Sequence, residues 1–319
     1  MAAHSIFVSD QNANDVKIYP PNPTGTLNEA PVARITGSNT GLAQPGGVAV
    51  DAAGRIYVTN RGGGPGGIGS ITVYAANPAA GTDNEAPLAT IAGSNTALDR
   101  PYGIAVDPSG EIYVTNLTNT ITVYAANPSG TLNEAPLATI AGAATLLAVP
   151  LDLAVDAAGK IYVANETGGM SAGNHGSINA YPANPSGTLN EAPIAQIVGS
   201  NTGLSNPIGL ALDASGKIYA TSTGSVFSVT VYAASPTGTI NEAPLATITG
   251  SATDLGTPSA VALDPTGRIY VANEYVTSFA DAAVTVYAAN PSGTLNEAPL
   301  GTITGSNTLL NSPSGIAVH

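Results

Sequence analysis

Cysteine is absent from this 319-residue chain, which excludes a disulfide framework and any thiolate metal centre. Tryptophan is absent too, and the three histidines are His4, His175 and His319. Two of these lie at the ends, so a histidine general base would have to be His175, in a glycine-rich stretch. Cationic side chains are scarce: eight Lys and Arg against 21 Asp and Glu give a net charge of −13. That balance opposes electrostatic attachment to nucleic acid or an anionic membrane, and neither partner is expected. Long apolar runs are missing as well. Gly, Pro or Asn interrupts every few positions, so nothing approaches the roughly 20 residues of a membrane-spanning helix, and no membrane insertion is expected. There is no Gly-x-Ser-x-Gly elbow and no His-Glu-x-x-His pair. The run from Gly62 to Gly67 lacks the lysine and following helix of a phosphate cradle. The chain is nonetheless 43% hydrophobic, enough to build a core.

What is present is a repeat. The phrase Ile-Tyr-Val-Thr/Ala-Asn begins at Ile56, Ile112, Ile161 and Ile269, with degenerate copies at Ile6 and Ile218. The starts at 6, 56, 112, 161, 218 and 269 are separated by 50, 56, 49, 57 and 51 residues, the size of one four-stranded propeller blade. The spacing predicts an all-β chain, a six-bladed β-propeller of four-stranded antiparallel blades, with residues 1–319 as a single domain. In the third unit the four strands, a to d from the axis outward, are Gly103 to Val106, Glu111 to Thr115, Thr120 to Tyr124 and Pro136 to Ile140. The a-to-b turn reads Asp-x-x-Gly five times, at Asp51, Asp107, Asp156, Asp213 and Asp264, which is hairpin chemistry. The chain starts on a b strand, Ser5 to Asp10, and ends on an a strand, Gly315 to Val318. One blade is therefore expected to close the ring with one strand from the C-terminus and three from the N-terminus. Eleven of the 13 tyrosines fall on strand b (57, 113, 162, 219, 270) or strand c (19, 74, 124, 181, 232, 287). They read as packing residues, with Phe7 completing the b set.

Residues Pro101 to Asn116, followed by Ile121-Thr-Val-Tyr-Ala, resemble an NHL repeat, and the resemblance extends over the whole chain, with Asn in place of Asp after strand b. It implies a propeller and says little of activity, because NHL propellers include RNA and protein binders, lyases and surface proteins. The inserted segment Asn127 to Pro136 resembles repeats of bacterial surface propellers. More distantly the chain resembles the regucalcin and gluconolactonase propellers, which hydrolyse lactones with a divalent metal at the top of the central channel. That site needs converging carboxylate and amide oxygens. Here the positions after the strand-a proline are Gly46, Tyr102, Leu151, Ile208, Ser259 and Ser314, and the nearest carboxylate is Asp152, where the repeat usually has Gly.

The d-to-a and b-to-c loops emerge on one face, termed the top. The b-to-c loops vary in length, and variation on one face of a repeat scaffold is where binding is usually grafted. The residues that break the repeat collect there: Arg61, Arg100, Tyr102, Asp152, Glu166, His175, Phe227, Glu274, Tyr275 and Phe279. The aromatics among them read either as a contact patch or as local caps on the blades. Asn60, Asn116, Asn165 and Asn273, with Asp10 and Ser222, form a ring after strand b that could hold a cation or sugar, though capping of loop backbone is the plainer reading. The motif Asn-Glu-Ala-Pro occurs in all six units, from Asn28, Asn84, Asn133, Asn190, Asn241 and Asn296. It is placed on the bottom rim, fixing the c-to-d loop, with six weak Ca2+ sites as the one cofactor alternative.

These readings lead to a non-catalytic scaffold that presents its top face to a protein, a glycan or a second copy of itself. The alternative is a metal-dependent lactonase, hydrolase or lyase of the propeller type using Asp152, Glu166, His175 and Glu274. Low Lys and Arg with abundant Gly, Asn, Thr and Ala suggests an extracellular or cell-surface protein, and the few residues before Ser5 leave no room for a secretion signal in this sequence.

Overall fold

A computed structural model describes residues 5–167, 175–274 and 281–319. Six sheets form a ring of six blades, and each blade has strands a to d in the expected order. In blade 2 these are Pro45–Val50, Ile56–Asn60, Ser70–Tyr74 and Ala89–Ala92. Closure is of the 1+3 kind. The C-terminal strand Pro313–Val318 pairs antiparallel with Ile6–Asp10, with Ile6 opposite Val318 and Val8 opposite Ile316.

The blades are not four-stranded and antiparallel, and here the sequence reading is corrected. Each carries a fifth strand, e, which pairs in parallel with strand d and comes from the next repeat. Gly81–Asp83, in the c-to-d connection of blade 2, pairs with Ala33–Thr36 of blade 1. Around the ring Gly25–Leu27 of blade 1 pairs with Gly301–Thr304 of blade 6. The ring is thus closed twice, once near the axis and once at the rim. Because strand e runs parallel to d, it carries the Asn-Glu-Ala-Pro motif to the neighbour's d-to-a loop on the top side, rather than leaving it on the bottom rim. There each motif Asn accepts a backbone N–H from the preceding blade. Asn39 to Asn84, Asn95 to Asn133 and Asn307 to Asn28 are examples, and all six bonds measure 2.8 to 3.0 Å. The glycine at the start of that loop is required by this contact. A Cβ on Gly93, whose φ is +122°, would fall 2.5 Å from the Asn133 side chain.

The core lies between blades in six wedges, because each sheet buries both faces against its neighbours. One wedge packs Val16, Ile18 and Ile35 of blade 1 against Val48, Ile56, Val58 and Tyr74 of blade 2. The tyrosines sit where the repeat placed them. Every strand-c tyrosine donates its hydroxyl to a threonine carbonyl in the loop entering its blade, at 2.5 to 2.7 Å. Every strand-b tyrosine reaches the turn Asp, at 3.0 to 3.5 Å. In the sixth copy His319 stands where the turn Asp would be, and Phe7, which has no hydroxyl, stands where the tyrosine would be. The absence of the acceptor and the absence of the donor coincide.

The closing blade differs electrostatically. In blade 2 a neutral pair, Asn60 Nδ2 to Thr72 Oγ1 at 3.0 Å, joins strands b and c. Blade 1 has Asp10 and Lys17 at those positions. Lys17 Nζ lies 2.8 Å from Asp10 and 2.7 Å from Asp15, all three side chains having no solvent exposure, and Arg34 bonds the other Asp15 oxygen. Burial raises the pKa of Asp15 above its ordinary value even beside two cations. Asp10 also accepts the backbone N–H groups of Asn311 and Ser312, which ties the charged cluster to the C-terminal strand.

Candidate functional site

The ring of polar residues after strand b caps loops, in accordance with the plainer reading. Asn60, Asn116, Asn165, Ser222 and Asn273 each accept a backbone N–H from the d-to-a loop entering their blade, and Asp10 does the same, at 2.7 to 3.3 Å. All are fully buried, so their oxygens are committed and face no ligand.

The residue that follows each cap is different. These six positions are Gln11, Arg61, Leu117, Glu166, Thr223 and Glu274, and each donates its backbone N–H to the carbonyl of the residue preceding the strand-a proline of its blade. Arg61 to Gln44, Glu166 to Val149 and Glu274 to Thr257 are examples. Six equivalent backbones therefore present one cation, two carboxylates, an amide, a hydroxyl and an aliphatic group. Sequence reasoning found Arg61, Glu166 and Glu274 because charges stand out. It missed Gln11, Leu117 and Thr223, although their register, one residue after the cap, was readable.

Of these six, Arg61 packs against Tyr102, the residue after the strand-a proline of blade 3. The guanidinium carbon of Arg61 lies 5.5 Å from the centroid of the Tyr102 ring, a cation–π distance. Its Nη1 donates to Gln11 Oε1 at 3.2 Å, so residues of blades 1, 2 and 3 meet here. Arg61 Nε is buried and is the only side-chain nitrogen or oxygen among the described buried atoms without a hydrogen-bond partner. Tyr102 is pushed up to about 12, chiefly by burial; the charge of Arg61 opposes this, and those of Glu274, Asp152 and Glu166 add to it. Four of the residues singled out in the sequence thus act electrostatically on one tyrosine.

Asp152 lies one residue further down the channel wall, in strand Pro150–Val155. Its ring neighbours are Gly47, Gly103, Gly209, Ala260 and Gly315. Strands approach so closely there that a Cβ on Gly103 would meet the Asp152 Cα at 2.7 Å. Oδ1 accepts the N–H of Leu153 at 2.9 Å, and Oδ2 that of Leu210 in the next blade at 3.0 Å. No ion pair to Asp152 is formed among the described residues. Asp152 keeps partial exposure to the channel, but desolvation by the surrounding wall outweighs its two hydrogen bonds and raises its pKa to about 7. Asp152, Tyr102, Ser259 and Ser314 line a polar cavity of about 70 Å³ on the axis. Both serines donate to carbonyls of adjacent blades, Ser259 to Pro313 at 2.6 Å and Ser314 to Pro45 at 2.8 Å.

The other sequence candidates separate from this centre. Arg100 is exposed, in loose contact with Asp99 at 3.6 Å. Phe227 folds inward against the wedge containing Val229, Ile248 and Leu255, as a blade cap. His175 is half-buried, and its carbonyl accepts the N–H of Asn206. Tyr275 and Phe279 lie outside the described residues.

The larger concavity is on the opposite face, a funnel of about 800 Å³ between the a-to-b turns. Its volume suits a ligand, but its carboxylates are spent. Asp51, Asp107, Asp156 and Asp213 each cap their own turn through two N–H groups and also bond a strand-b tyrosine. The mouth is small and chemically varied, the funnel large and repetitive. Aliphatic side chains at the rim, Val32, Leu88, Leu137, Ile194, Leu245 and Leu300, are 43 to 52% exposed and recur once per blade.

The residues present do not fit a lactonase-type metal centre. Asp152 is the one carboxylate on the wall of the upper cavity, and the described residues contain no group of three or more His, Asp or Glu able to share one ion. No helix is long and apolar enough to cross a membrane among the described residues.

No family model and no curated protein matches the chain. Solved structures do. A protein of unknown function from Bacteroides caccae aligns over 99% of this chain and 99% of its own, with a TM-score of 0.63 at 11% identity. A gluconolactonase from Xanthomonas campestris aligns over 98% of this chain and 88% of its own, with a TM-score of 0.51 at 14% identity. At these identities the likeness is one of fold, and function has to be argued from the site.

Proposed function

We propose that the protein is a non-catalytic binding scaffold whose ligand or partner engages the top mouth of the central channel. The observation that carries this reading is the contrast between positions. On a scaffold where turns, caps and tyrosines repeat blade after blade, the six positions that follow the caps hold five different residue types, only Glu occurring twice. A structural role alone would favour like residues, as at the caps, which are four Asn, one Asp and one Ser, all short polar side chains. The NHL-like wording of the repeat and the low Lys and Arg content support a surface or secreted setting.

Lactone hydrolysis is the weaker reading. The nearest acid, Asp152, stands alone on the cavity wall, and among the described residues no further acids or histidines gather with it to share a metal ion. The test is a glycan and peptide array probed with the wild-type protein and with Arg61→Ala/Glu166→Ala/Glu274→Ala, alongside a lactone hydrolysis assay with added divalent metals. Binding that the triple variant loses, with melting unchanged, is expected. Binding indifferent to these three residues, or lactone turnover that depends on Asp152, would overturn the proposal.

A further inference from the structure

Blade 1 places a primary amine between two carboxyls that have no contact with solvent. Asp10 and Asp15 stand directly opposite each other on strands Ile6–Asp10 and Asp15–Tyr19, and Lys17 lies two residues further along. All three project from one face of the sheet, the face that packs on blade 6 through Val8 and Tyr19. A diagonal pair of this kind is within reach of a long side chain. Lys17 Nζ lies 2.8 Å from Asp10 Oδ2 and 2.7 Å from Asp15 Oδ1, and none of the three side chains is exposed. The other five blades hold Thr or Asn at the position of Lys17 and Ser, Thr or Ala at that of Asp15, so the amine is peculiar to the blade that closes the ring.

A buried ion pair stabilises little, because desolvating two charges offsets most of their attraction. The same enclosure favours a reaction that removes both charges, and holding the groups in contact supplies the advantage of an intramolecular encounter. The two carboxyls are furnished differently. Asp15 bonds Arg34 through Oδ2 and turns Oδ1 to the Lys17 ammonium, the posture of a proton acceptor. Asp10 accepts the backbone N–H groups of Ala13 and Ser312 on Oδ1 and of Asn311 on Oδ2, at 2.7 to 3.2 Å. Such donors stabilise negative charge that grows on the oxygens of an attacked carboxyl.

We propose that Lys17 and Asp10 condense to a side-chain amide, with Asp15 carrying the proton, so that strands b and c of the closing blade become covalently joined. Asp15 takes a proton from the ammonium, and the freed Nζ attacks Asp10 Cγ. The N–Cγ bond forms and one Cγ–O bond breaks. Of the three ammonium protons, one stays on the amide nitrogen and two leave with the oxygen as water, so Asp15 ends as it began. The net charge of the pair is zero before and after, and the balance needs no co-reactant. The link sits where it matters for closure. Strand a of this blade comes from the C-terminus and docks on strand b partly through Asp10, so fixing Asp10 fixes what the closing strand meets. The bond is independent of what binds at the mouth.

The readout is mass. Folded wild-type protein, denatured for electrospray, is expected to weigh one water less than its sequence. Trypsin is expected not to cut after Lys17, whose amine is acylated, and fragment spectra of the uncut peptide should place the branch between Asp10 and Lys17. Lys17→Arg and Asp15→Asn, shown by circular dichroism to be folded, should each keep the full sequence mass. Wild-type protein at its full sequence mass would overturn the inference, and so would a branch at Asp15. A water lost equally in Lys17→Arg would also overturn it, since that loss would belong to an aspartate cyclising onto its own backbone. Condensation as complete in Asp15→Asn as in the wild type would overturn the part given to Asp15. The wild-type mass decides by itself even where a variant fails to fold.

Discussion

Ionising Asp152 inside the channel wall costs free energy that neutral Asp152 does not, and this makes stability depend on pH in a direction opposite to most carboxylates. Burial raises its pKa from 3.8 to about 7, whereas in the unfolded chain it titrates at its ordinary value. Between about pH 4 and pH 7 the native protein keeps a proton that the unfolded chain has lost, so stability falls as pH rises, by about 1.4 kcal/mol per pH unit. Below that window both states are protonated and the contribution is fully present; above it both are ionised and it is gone. The whole span amounts to about 4 kcal/mol as an upper limit, reduced to the extent that channel water solvates the carboxylate. Asp152→Gly restores the residue found at Gly47, Gly103, Gly209 and Gly315 and removes the titration. Urea unfolding of both proteins at intervals from pH 4 to pH 8 isolates the effect, since all other acids are shared. The variant should gain on the wild type steadily through the window and run parallel to it outside. Curves parallel throughout would refute the argument that the channel wall desolvates this carboxylate with no cation beside it.

Three other outcomes follow from the fold. Lys17→Thr strands Asp10 and Asp15 without their shared cation and should cost about 3 to 5 kcal/mol. Adding Asp10→Asn, Asp15→Ser and Arg34→Thr, which reproduces Asn60, Ser70, Thr72 and Thr90 of blade 2, should recover most of that loss in urea unfolding. Removing residues 312–319 uncovers the edge of Ile6–Asp10 and should lead to unfolding or aggregation, read by light scattering; melting unchanged from the full chain would contradict the closure. Val149 is a β-branched residue at φ +51°, where the equivalent position in blade 5 has Asn206 at +52°. Val149→Asn should relieve strain and stabilise by about 1 kcal/mol, seen as a raised melting temperature.

The strands, their number and the 1+3 closure were legible because β-branched and aromatic residues recur at a fixed spacing, and because the chain begins on b and ends on a. Strand e was not. Gly-Thr-Leu is three residues long, shows no alternation, and pairs with a strand from the preceding repeat, so no local pattern marks it. Missing it put Asn84 and its equivalents on the wrong face. At the site, Arg61, Tyr102, Asp152, Glu166 and Glu274 were found because they break the repeat, but their convergence on one tyrosine depends on how neighbouring blades meet. Phe227 shows the opposite error, since breaking the repeat drew attention to a side chain that simply packs inward. Gln11 escaped because an uncharged amide in a polar loop is unremarkable until its register is compared with Arg61.

That the mouth, and not the larger basal funnel, receives the ligand is tested most directly by a crystal grown with the tightest binder from the glycan and peptide array. Ligand density is predicted at the top mouth, beside the Arg61 and Tyr102 side chains. Density among Val106, Val155 and Leu212 of the funnel, with none at the mouth, would contradict it.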